Sequence, residues 1–150
     1  MEPTIRRFRL KDLKRVLEIE EKSFGVDAYD RLTFLYLYRS CGDLFLVAEL
    51  SGSVIGYSIT CIEGSGGDSV GHVHSIAVDP RFRKKGVGRA LMEETFRMLR
   101  ERGVKSVVLE VSIANEAGIS FWKSLGFSPV GIRKRFYLDG TDAIIMRKEI

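Results

Sequence analysis

Cysteine, proline and long apolar runs are scarce in this sequence. Its 150 residues include two cysteines and three prolines, and no stretch of about 18 consecutive apolar residues occurs. The sequence therefore excludes a disulfide-rich scaffold and a membrane-spanning helix. Cys41 and Cys61 are its only thiols, and the first residues lack the basic-then-apolar pattern of a signal peptide. We therefore expect a cytoplasmic protein in which both thiols are reduced.

A large excess of one charge is also absent. The chain has 24 Lys and Arg against 20 Asp and Glu, for a formal net charge of +4, which is weak for a nucleic-acid-binding protein. A hydrophobic share of 45% excludes disorder, and the length predicts one domain over residues 1–150. The basic residues are nevertheless clustered. One cluster lies at 133–135, and the other contains Arg81, Arg83, Lys84, Lys85 and Arg89.

Apolar periodicity predicts a mixed α/β domain with the element order β-α-α-β-β-β-α-β-α-β-β. The helix over 86–102 must cross between two neighbouring strands, 70–78 and 106–111, which we expect to be parallel. The rest of the sheet, of about seven strands flanked by about four helices, should be mostly antiparallel. Asp139-Gly140 predicts a hairpin between the last two strands. The remaining predicted strands span 4–10, 44–50, 54–62, 127–138 and 143–148, and the remaining predicted helices span 12–23, 30–39 and 116–125.

A basic, glycine-containing segment links strand 70–78 to the long helix. It is Arg83-Lys84-Lys85-Gly86-Val87-Gly88, with both glycines at the helix start. Unpaired N–H groups at a helix start bind anions, glycine admits a close approach of the backbone, and Arg and Lys add charge-assisted hydrogen bonds. The segment has neither P-loop spacing nor the third glycine of a Rossmann fingerprint. A solvated basic turn is the alternative, but the position between strand and helix favours an anion-binding loop.

The segment over 70–127 resembles the core of the GCN5-related N-acetyltransferases (GNAT). Arg83, Gly86 and Gly88 match the family signature Arg/Gln-x-x-Gly-x-Gly/Ala, which implies that the loop holds the pyrophosphate of acetyl-CoA. The resemblance is strongest to RimI-like and archaeal Ard1-type protein N-terminal acetyltransferases. It implies the GNAT fold, with a splay between strands 4 and 5 that admits the pantetheine arm. The motifs in matching order are Gly71–Pro80, Leu109-Glu110-Val111, Asn115, Ser124–Phe127 and Tyr137-x-x-Gly140-x-Asp142-Ala143.

The resemblance also implies which residues contact acetyl-CoA, the expected cosubstrate; no metal is implied. Asn115 would lie beside the pantetheine arm, although an N-cap role before Glu116 is equally consistent with its position. Trp122 stands where RimI-like enzymes usually have the Tyr that protonates the CoA thiolate. An indole N–H can donate a hydrogen bond but is not a useful acid. The implied cofactor-binding residues are Ile76, Ala77, Val78, Arg83, Lys84, Lys85, Gly86, Val87, Gly88, Arg89, Asn115 and Trp122.

Two side chains are candidate proton acceptors for an attacking amine. Glu110 interrupts an apolar run near the end of a strand, where a carboxylate is costly unless it is paired, functional or outward-facing. It also falls on the family's proton-acceptor position. His72 lies on the adjacent strand and titrates in a useful range, which predicts a second base or a water-positioning group. Period-2 spacing places it on one face with His74, predicted as structural, and with Ile76 and Val78.

The sequence does not select a single proton donor for the CoA thiolate, and it identifies the residues of the peptide groove less specifically than the proton acceptors. Tyr137 or a water molecule could protonate the thiolate in place of Trp122. Phe24, Tyr29 and Tyr137 are candidates for the peptide groove, because the first interhelical loop and the last hairpin grip the substrate in the resembled enzymes. Aromatic residues at these places are equally often core.

The resemblance implies acetylation of a protein or peptide N-terminus. An α-amine, with a pKa of about 7.7–8.0, loses its proton more easily than a lysine amine at about 10.4. Three alternatives remain open: a lysine or small-amine acetyltransferase, a non-catalytic acyl-CoA-binding domain, which Trp122 favours, and a nucleic-acid-binding module, which the weak net charge disfavours. Ribosomal association and the oligomeric state are also open at this point.

Overall fold

A seven-stranded sheet forms the centre of the molecule, with the strand order β1-β2-β3-β4-β5-β7-β6. A computed structural model describes residues 2–150. Neighbouring strands are antiparallel except for the parallel pair β4–β5, so the predicted order and mixed sheet are confirmed. The strands are β1 (Thr4–Arg7), β2 (Phe45–Leu50), β3 (Ser53–Glu63), β4 (Val70–Val78), β5 (Ser106–Ser112), β6 (Ser128–Arg133) and β7 (Ala143–Glu149). The helices are α1 (Leu13–Phe24), α2 (Arg31–Cys41), α3 (Val87–Glu101) and α4 (Glu116–Ser124).

Two hydrophobic clusters cover the two faces of the sheet. Strand β2 shows the alternation, because Leu46 and Ala48 join the cluster under α3 and α4, whereas Phe45 and Val47 join the cluster under α1 and α2. Leu91 of α3 is fully buried in the first cluster. Truncating such a leucine to alanine costs about 2–5 kcal/mol, so this face anchors the crossover helix. No helix among residues 2–150 has the length and apolarity needed to cross a membrane.

A β-bulge interrupts the pairing of β3 with β4. Thr60 pairs with Val73 and Ile59 pairs with Ser75, so His74 is the extra residue on β4. One extra residue reverses the faces to which all later side chains of a strand point.

The prediction that His72, His74, Ile76 and Val78 share one face is therefore wrong. Ile76 and Val78 pack toward α3, as Val73 does before the bulge. The two imidazoles lie on the opposite face with ring centroids 4.4 Å apart. A period of two applies only to a regular strand, and the bulge breaks it.

Strands β4 and β5 separate soon after they meet. They pair only at Gly71–Val107 and His72–Val108. Beyond these pairs the edge of β4 that faces β5 has no strand partner, and its backbone groups line an open groove. The predicted parallel pair and its splay are confirmed.

The predicted reduced state of the cysteines is wrong in this structure. Cys41, at the end of α2, and Cys61, in β3, form a disulfide with a Cα–Cα distance of 5.1 Å. Composition alone predicted free thiols, because it contains no information on which residues meet in the fold.

The last predicted strand pair is also shorter than expected. Strand β6 ends at Arg133 rather than at 138, because Arg135 adopts a left-handed φ of 53° and its N–H donates to Asp142 Oδ1 at 2.9 Å. Residues 134–142 form a loop instead. The Asp139-Gly140 turn lies inside it, where the Gly140 N–H donates to the Tyr137 carbonyl at 2.9 Å.

Candidate active site

His72 lies between two carboxylates at the point where β4 and β5 separate. Its Nε2 atom is 2.8 Å from Glu110 Oε1, and its Nδ1 atom is 2.9 Å from Glu63 Oε2. The strand register explains the first contact, because His72 is level with Val108 of β5 and Glu110 follows two residues later on the same face. The sequence placed His72 next to Glu110 but missed Glu63, whose position depends on the β3–β4 register.

The pKa values of both members of this pair are shifted by their surroundings. Burial raises the pKa of Glu110, but the hydrogen bond and charge of His72 and the charges of Arg133 and His74 outweigh it and lower that pKa overall. The hydrogen bond with Glu110 raises the pKa of His72, burial opposes it, and Glu63 adds to the rise. Glu110 is thus ionised at neutral pH and can stabilise a proton on the imidazole.

Arg133 is a further residue that sequence reasoning did not assign to the site. Its Nε atom lies 3.5 Å from Glu110 Oε2, whereas His72 contacts Oε1 of the same carboxylate. It belongs to the basic cluster at 133–135, whose charge gave no indication of a partner. The cation helps to keep Glu110 in its charged form.

Two tyrosines lie near the same carboxylate. Burial, together with the charges of Glu20 and Glu110, raises the pKa of Tyr29 to about 12. Burial, together with the charges of Glu110, Asp27 and Tyr29, raises the pKa of Tyr137 to about 12. Both phenols are therefore neutral at pH 7 and can donate hydrogen bonds.

The loops that carry these tyrosines are tied together and to the sheet. The Tyr29 hydroxyl donates to the His74 carbonyl at 3.1 Å. The Leu138 N–H donates to Asp27 Oδ1 at 3.1 Å, which joins the loop after α1 to the loop over 134–142. Phe24, the last residue of α1, is 38% exposed. Tyr29 and Tyr137 thus belong to two linked loops, and Phe24 lies at the end of α1, just before the first of these loops.

Glu20 holds the first of these loops and was missed by sequence reasoning. The buried carboxylate accepts the Tyr29 N–H on Oε2 at 2.8 Å, and Ser75 Oγ on Oε1 at 2.8 Å. The Tyr57 hydroxyl also donates to Oε1. The sequence spacing could have indicated that Glu20 is buried, because it lies seven residues after Leu13 and therefore on the apolar face of α1.

The loop before α3 contains two residues with left-handed backbone conformations. Gly86 is left-handed with φ of 83°, and Lys84 also has a positive φ of 61°. Among residues 2–150, Lys84 and Lys85 have no ion-pair partner, and both are exposed. Arg83 Nε, by contrast, donates to the Val78 carbonyl at 3.1 Å, and this hydrogen bond joins the loop to the end of β4. The loop therefore presents two lysines and the first N–H groups of α3 to solvent.

Other basic residues of the cluster already have partners. Arg81 pairs with the buried Asp79 at 3.1 Å. Arg89 pairs with Glu93 at 3.6 Å and contacts the Ser124 carbonyl at 3.4 Å. Arg81 and Arg89 are therefore less available than Lys84 and Lys85 to bind the predicted anion.

The remaining predicted cofactor residues differ in how far they are buried. Ile76, Val78 and Gly88 are half-buried near the splay, whereas Ala77 and Val87 are buried core residues. A Cβ on Gly88 would approach the Phe121 ring at 3.1 Å, so glycine there lets α3 and α4 pack closely.

Two residues have structural roles that the geometry shows directly. Asn115 caps α4, with its Oδ1 accepting the Gly118 N–H at 2.9 Å. Trp122 is 5% exposed and packs edge-on against Phe121 and Phe127, with ring centroids 4.9 and 5.1 Å away. Contact of either residue with a cofactor stays a prediction.

Comparison with known proteins identifies the family. The acetyltransferase (GNAT) family profile matches residues 13–127. The chain belongs to this family. It is 34% identical to the N-alpha-acetyltransferase RimI of Mycobacterium tuberculosis over 140 residues, which covers 92% of this chain and 87% of that protein.

Two solved structures support the same assignment. The fold matches the Ard1 structure from Thermoplasma volcanium with a TM-score of 0.94 and 32% identity, over 100% of this chain and 99% of that chain. It matches the ribosomal-protein-S18-alanine N-acetyltransferase from Escherichia coli with a TM-score of 0.83 and 31% identity, over 99% and 94% of the two chains. The protein is an N-acetyltransferase with the GNAT fold, as the motif resemblance implied.

Proposed function

We propose that this N-acetyltransferase transfers the acetyl group of acetyl-CoA to the N-terminal α-amine of proteins or peptides. The observation that carries the proposal is the contact of His72 with Glu110 beside the open edge of β4. The names of the Mycobacterium and Escherichia relatives support an α-amine substrate, and the latter acts on ribosomal protein S18. A ribosomal protein is therefore one candidate target here.

The groove fits acetyl-CoA as the second substrate. Beyond His72 the edge of β4 that faces β5 has no strand partner, and an extended, amide-containing arm would pair with its free backbone groups in the manner of an added strand. The His74 and Val78 carbonyls already accept hydrogen bonds from Tyr29 and Arg83. At the end of that edge, the left-handed Gly86 and the exposed Lys84 and Lys85 suit a diphosphate at the start of α3. The same chain therefore supplies both an arm-binding edge and an anion-binding turn.

The chemistry needs one proton acceptor and one group for the leaving thiolate. The neutral amine nitrogen attacks the thioester carbonyl carbon, the C–N bond forms and the C–S bond breaks. The amine proton passes to the His72–Glu110 pair, directly or through water. The thiolate receives a hydrogen bond from Tyr137, or a proton from water.

An α-amine suits this site better than a lysine amine. The acceptor is an imidazole–carboxylate pair, and an α-amine with a pKa of about 7.7–8.0 is partly neutral at pH 7, whereas a lysine amine at about 10.4 is not. Tyr29 and Tyr137 flank the pair and would line the path of a peptide.

The experiment is an acetyl-CoA turnover assay on peptides that vary in their first two residues. Matched control peptides carry a blocked N-terminus and an internal lysine. We expect turnover on free N-termini only. Turnover confined to the blocked peptides would reject the α-amine as substrate, and stabilisation by CoA without any turnover would favour a non-catalytic acyl-CoA-binding domain.

A further inference from the structure

Three potential metal ligands converge on the outer side of His72. Glu63 Oε2 lies 2.9 Å from His72 Nδ1 and 3.1 Å from His74 Nε2. All three ligand atoms lie within 4.8 Å of one another. Glu63 is 48% exposed and the imidazoles are half-buried, so an ion can reach the cluster from solvent.

The β-bulge builds this arrangement. Side chains two residues apart on a regular strand stand about 6.5–7 Å apart. The extra residue at His74 brings the two rings to a centroid distance of 4.4 Å and turns Nδ1 of one and Nε2 of the other toward Glu63. Strand β3 ends at Glu63, so the hairpin register completes the cluster.

A second observation points independently to a metal ligand. Metal-binding histidines almost always donate their other ring N–H to a carboxylate or carbonyl, which fixes the tautomer and raises the basicity of the ligating nitrogen. Glu110 Oε1 lies 2.8 Å from His72 Nε2, so this carboxylate would hold the N–H of that nitrogen when a metal ion takes the place of the proton on Nδ1. The cluster thus has an outer-shell partner already in place.

We propose that Glu63, His72 and His74 bind a borderline divalent cation of the zinc type. Two imidazoles and one carboxylate, with water as the fourth ligand, form a common tetrahedral zinc set. Bonds of about 2.0–2.1 Å place tetrahedral ligand atoms about 3.3 Å apart, so the two contacts of Glu63 need to open by only about 0.2–0.4 Å. Magnesium, which prefers oxygen ligands, does not suit two imidazoles.

Such an ion would act as an inhibitor. Zinc on Nδ1 fixes His72 as a ligand and places a positive charge beside the proton acceptor. This consequence depends on the proposed function, in which the His72–Glu110 pair receives the amine proton. Binding itself does not depend on it.

Zinc binding is tested on chelator-treated full-length protein by calorimetric titration with zinc chloride. We expect one zinc per chain, and at least a ten-fold weaker affinity in Glu63→Gln and in His74→Gln. Glu21→Gln, which changes an exposed carboxylate on α1, is the matched control and should bind as the parent does. Magnesium chloride should give no binding. Circular dichroism of each variant verifies that it is folded.

The outcomes separate this proposal from the enzymatic one. An absence of zinc binding by the parent protein, or equal affinity in the Glu63→Gln and His74→Gln variants, would overturn the site. Turnover is then measured against added zinc, with each variant normalised to its own metal-free rate. We expect inhibition of the parent at a lower zinc concentration than of either variant. Zinc binding without inhibition would retain the site and contradict the role of His72 in proton transfer.

Discussion

His72 Nε2 lies 2.8 Å from Glu110 Oε1 at the point where β4 and β5 begin to separate. In the proposed mechanism, the two side chains act as one proton-accepting unit. We expect Glu110→Gln and His72→Gln each to lower kcat by about 10²-fold or more. The KM for acetyl-CoA should stay nearly constant, because neither residue belongs to the loop before α3 that is proposed to bind the diphosphate. The double variant should lose little more than either single variant.

Steady-state kinetics of the four proteins measures this coupling. Asp68→Asn, in an exposed loop, serves as the matched carboxylate control and should retain the parent kcat. Two single losses that multiply in the double variant would show that the residues act independently.

Tyr137 is expected to stabilise the leaving thiolate rather than to protonate it fully. Burial and nearby negative charges raise the pKa of this phenol to about 12, far above the value of about 8.5 for a thiol. A hydrogen bond to a charged group contributes about 1.5–3 kcal/mol. Tyr137→Phe should therefore lower kcat by about 10–100-fold, measured by steady-state kinetics with both substrates saturating.

Trp122→Phe provides the contrasting variant. The indole is buried between Phe121 and Phe127, so its loss should lower the free energy of unfolding by about 1–3 kcal/mol. Its effect on kcat should be smaller than that of Tyr137→Phe. The reverse ranking would make the indole N–H the thiolate partner, and equal parent rates for both variants would indicate water.

The sequence predicted the elements that hold the site better than the contacts within it. Element order and the parallel pair follow from periodicity and crossover rules, which are local or topological, and they placed His72 beside Glu110. The bulge at His74 was not predictable, because one inserted residue changes the register of a strand without leaving a compositional signal. The contact of His72 with Glu63 depends on that register and was missed with it.

The disulfide was also not predictable from the sequence, because its two cysteines meet only in the folded chain. Cys41 and Cys61 are 20 residues apart, and only the packing of α2 on β3 brings them together. Composition predicted two free thiols, because the spacing of two cysteines along the chain does not show whether their side chains meet.

The Cys41–Cys61 disulfide should stabilise the protein. Closing a loop of this length contributes about 3 kcal/mol, which corresponds to about 6–12 °C in Tm for a chain of this size. Calorimetry with and without reductant should show that shift in the parent and none in Cys41→Ser. Alkylation of both cysteines in the native oxidised protein would contradict the disulfide.

Asp79 should confer stability that depends on pH. It is buried and pairs with Arg15 and Arg81. The hydrogen bond with Arg81 lowers the pKa of Asp79, burial opposes this, and Arg15 adds to the lowering. A lowered folded-state pKa gives stability that is complete above the unfolded-state value of about 3.9 and is lost as the pH falls below it.

We therefore expect Asp79→Asn to be less stable than the parent by about 1–3 kcal/mol at pH 7. Urea unfolding from pH 7 to pH 2.5 should show this difference shrinking below about pH 4. Asp68→Asn should show no such pH-dependent difference. A constant difference for Asp79→Asn across the range would mean that packing, and not charge, accounts for the loss.

Glu20 should act as a positioning residue for the peptide. Its Oε2 fixes the Tyr29 N–H at 2.8 Å, and its Oε1 accepts hydrogen bonds from Ser75 and Tyr57. Glu20→Ala leaves the Tyr29 N–H without a partner and opens a cavity. We expect a peptide KM at least ten-fold higher, an unchanged acetyl-CoA KM, and a stability loss of about 2–4 kcal/mol.

Glu20→Gln is the discriminating control, because its amide can keep the most constrained of these bonds. The amide oxygen can accept from Tyr29, while the amide N–H₂ donates to the hydroxyls of Ser75 and Tyr57, which can reverse their roles and accept. The peptide KM should therefore return close to the parent value in Glu20→Gln. If both variants raise the peptide KM equally, the charge of Glu20 is required; if both leave it unchanged, Tyr29 does not contact the peptide.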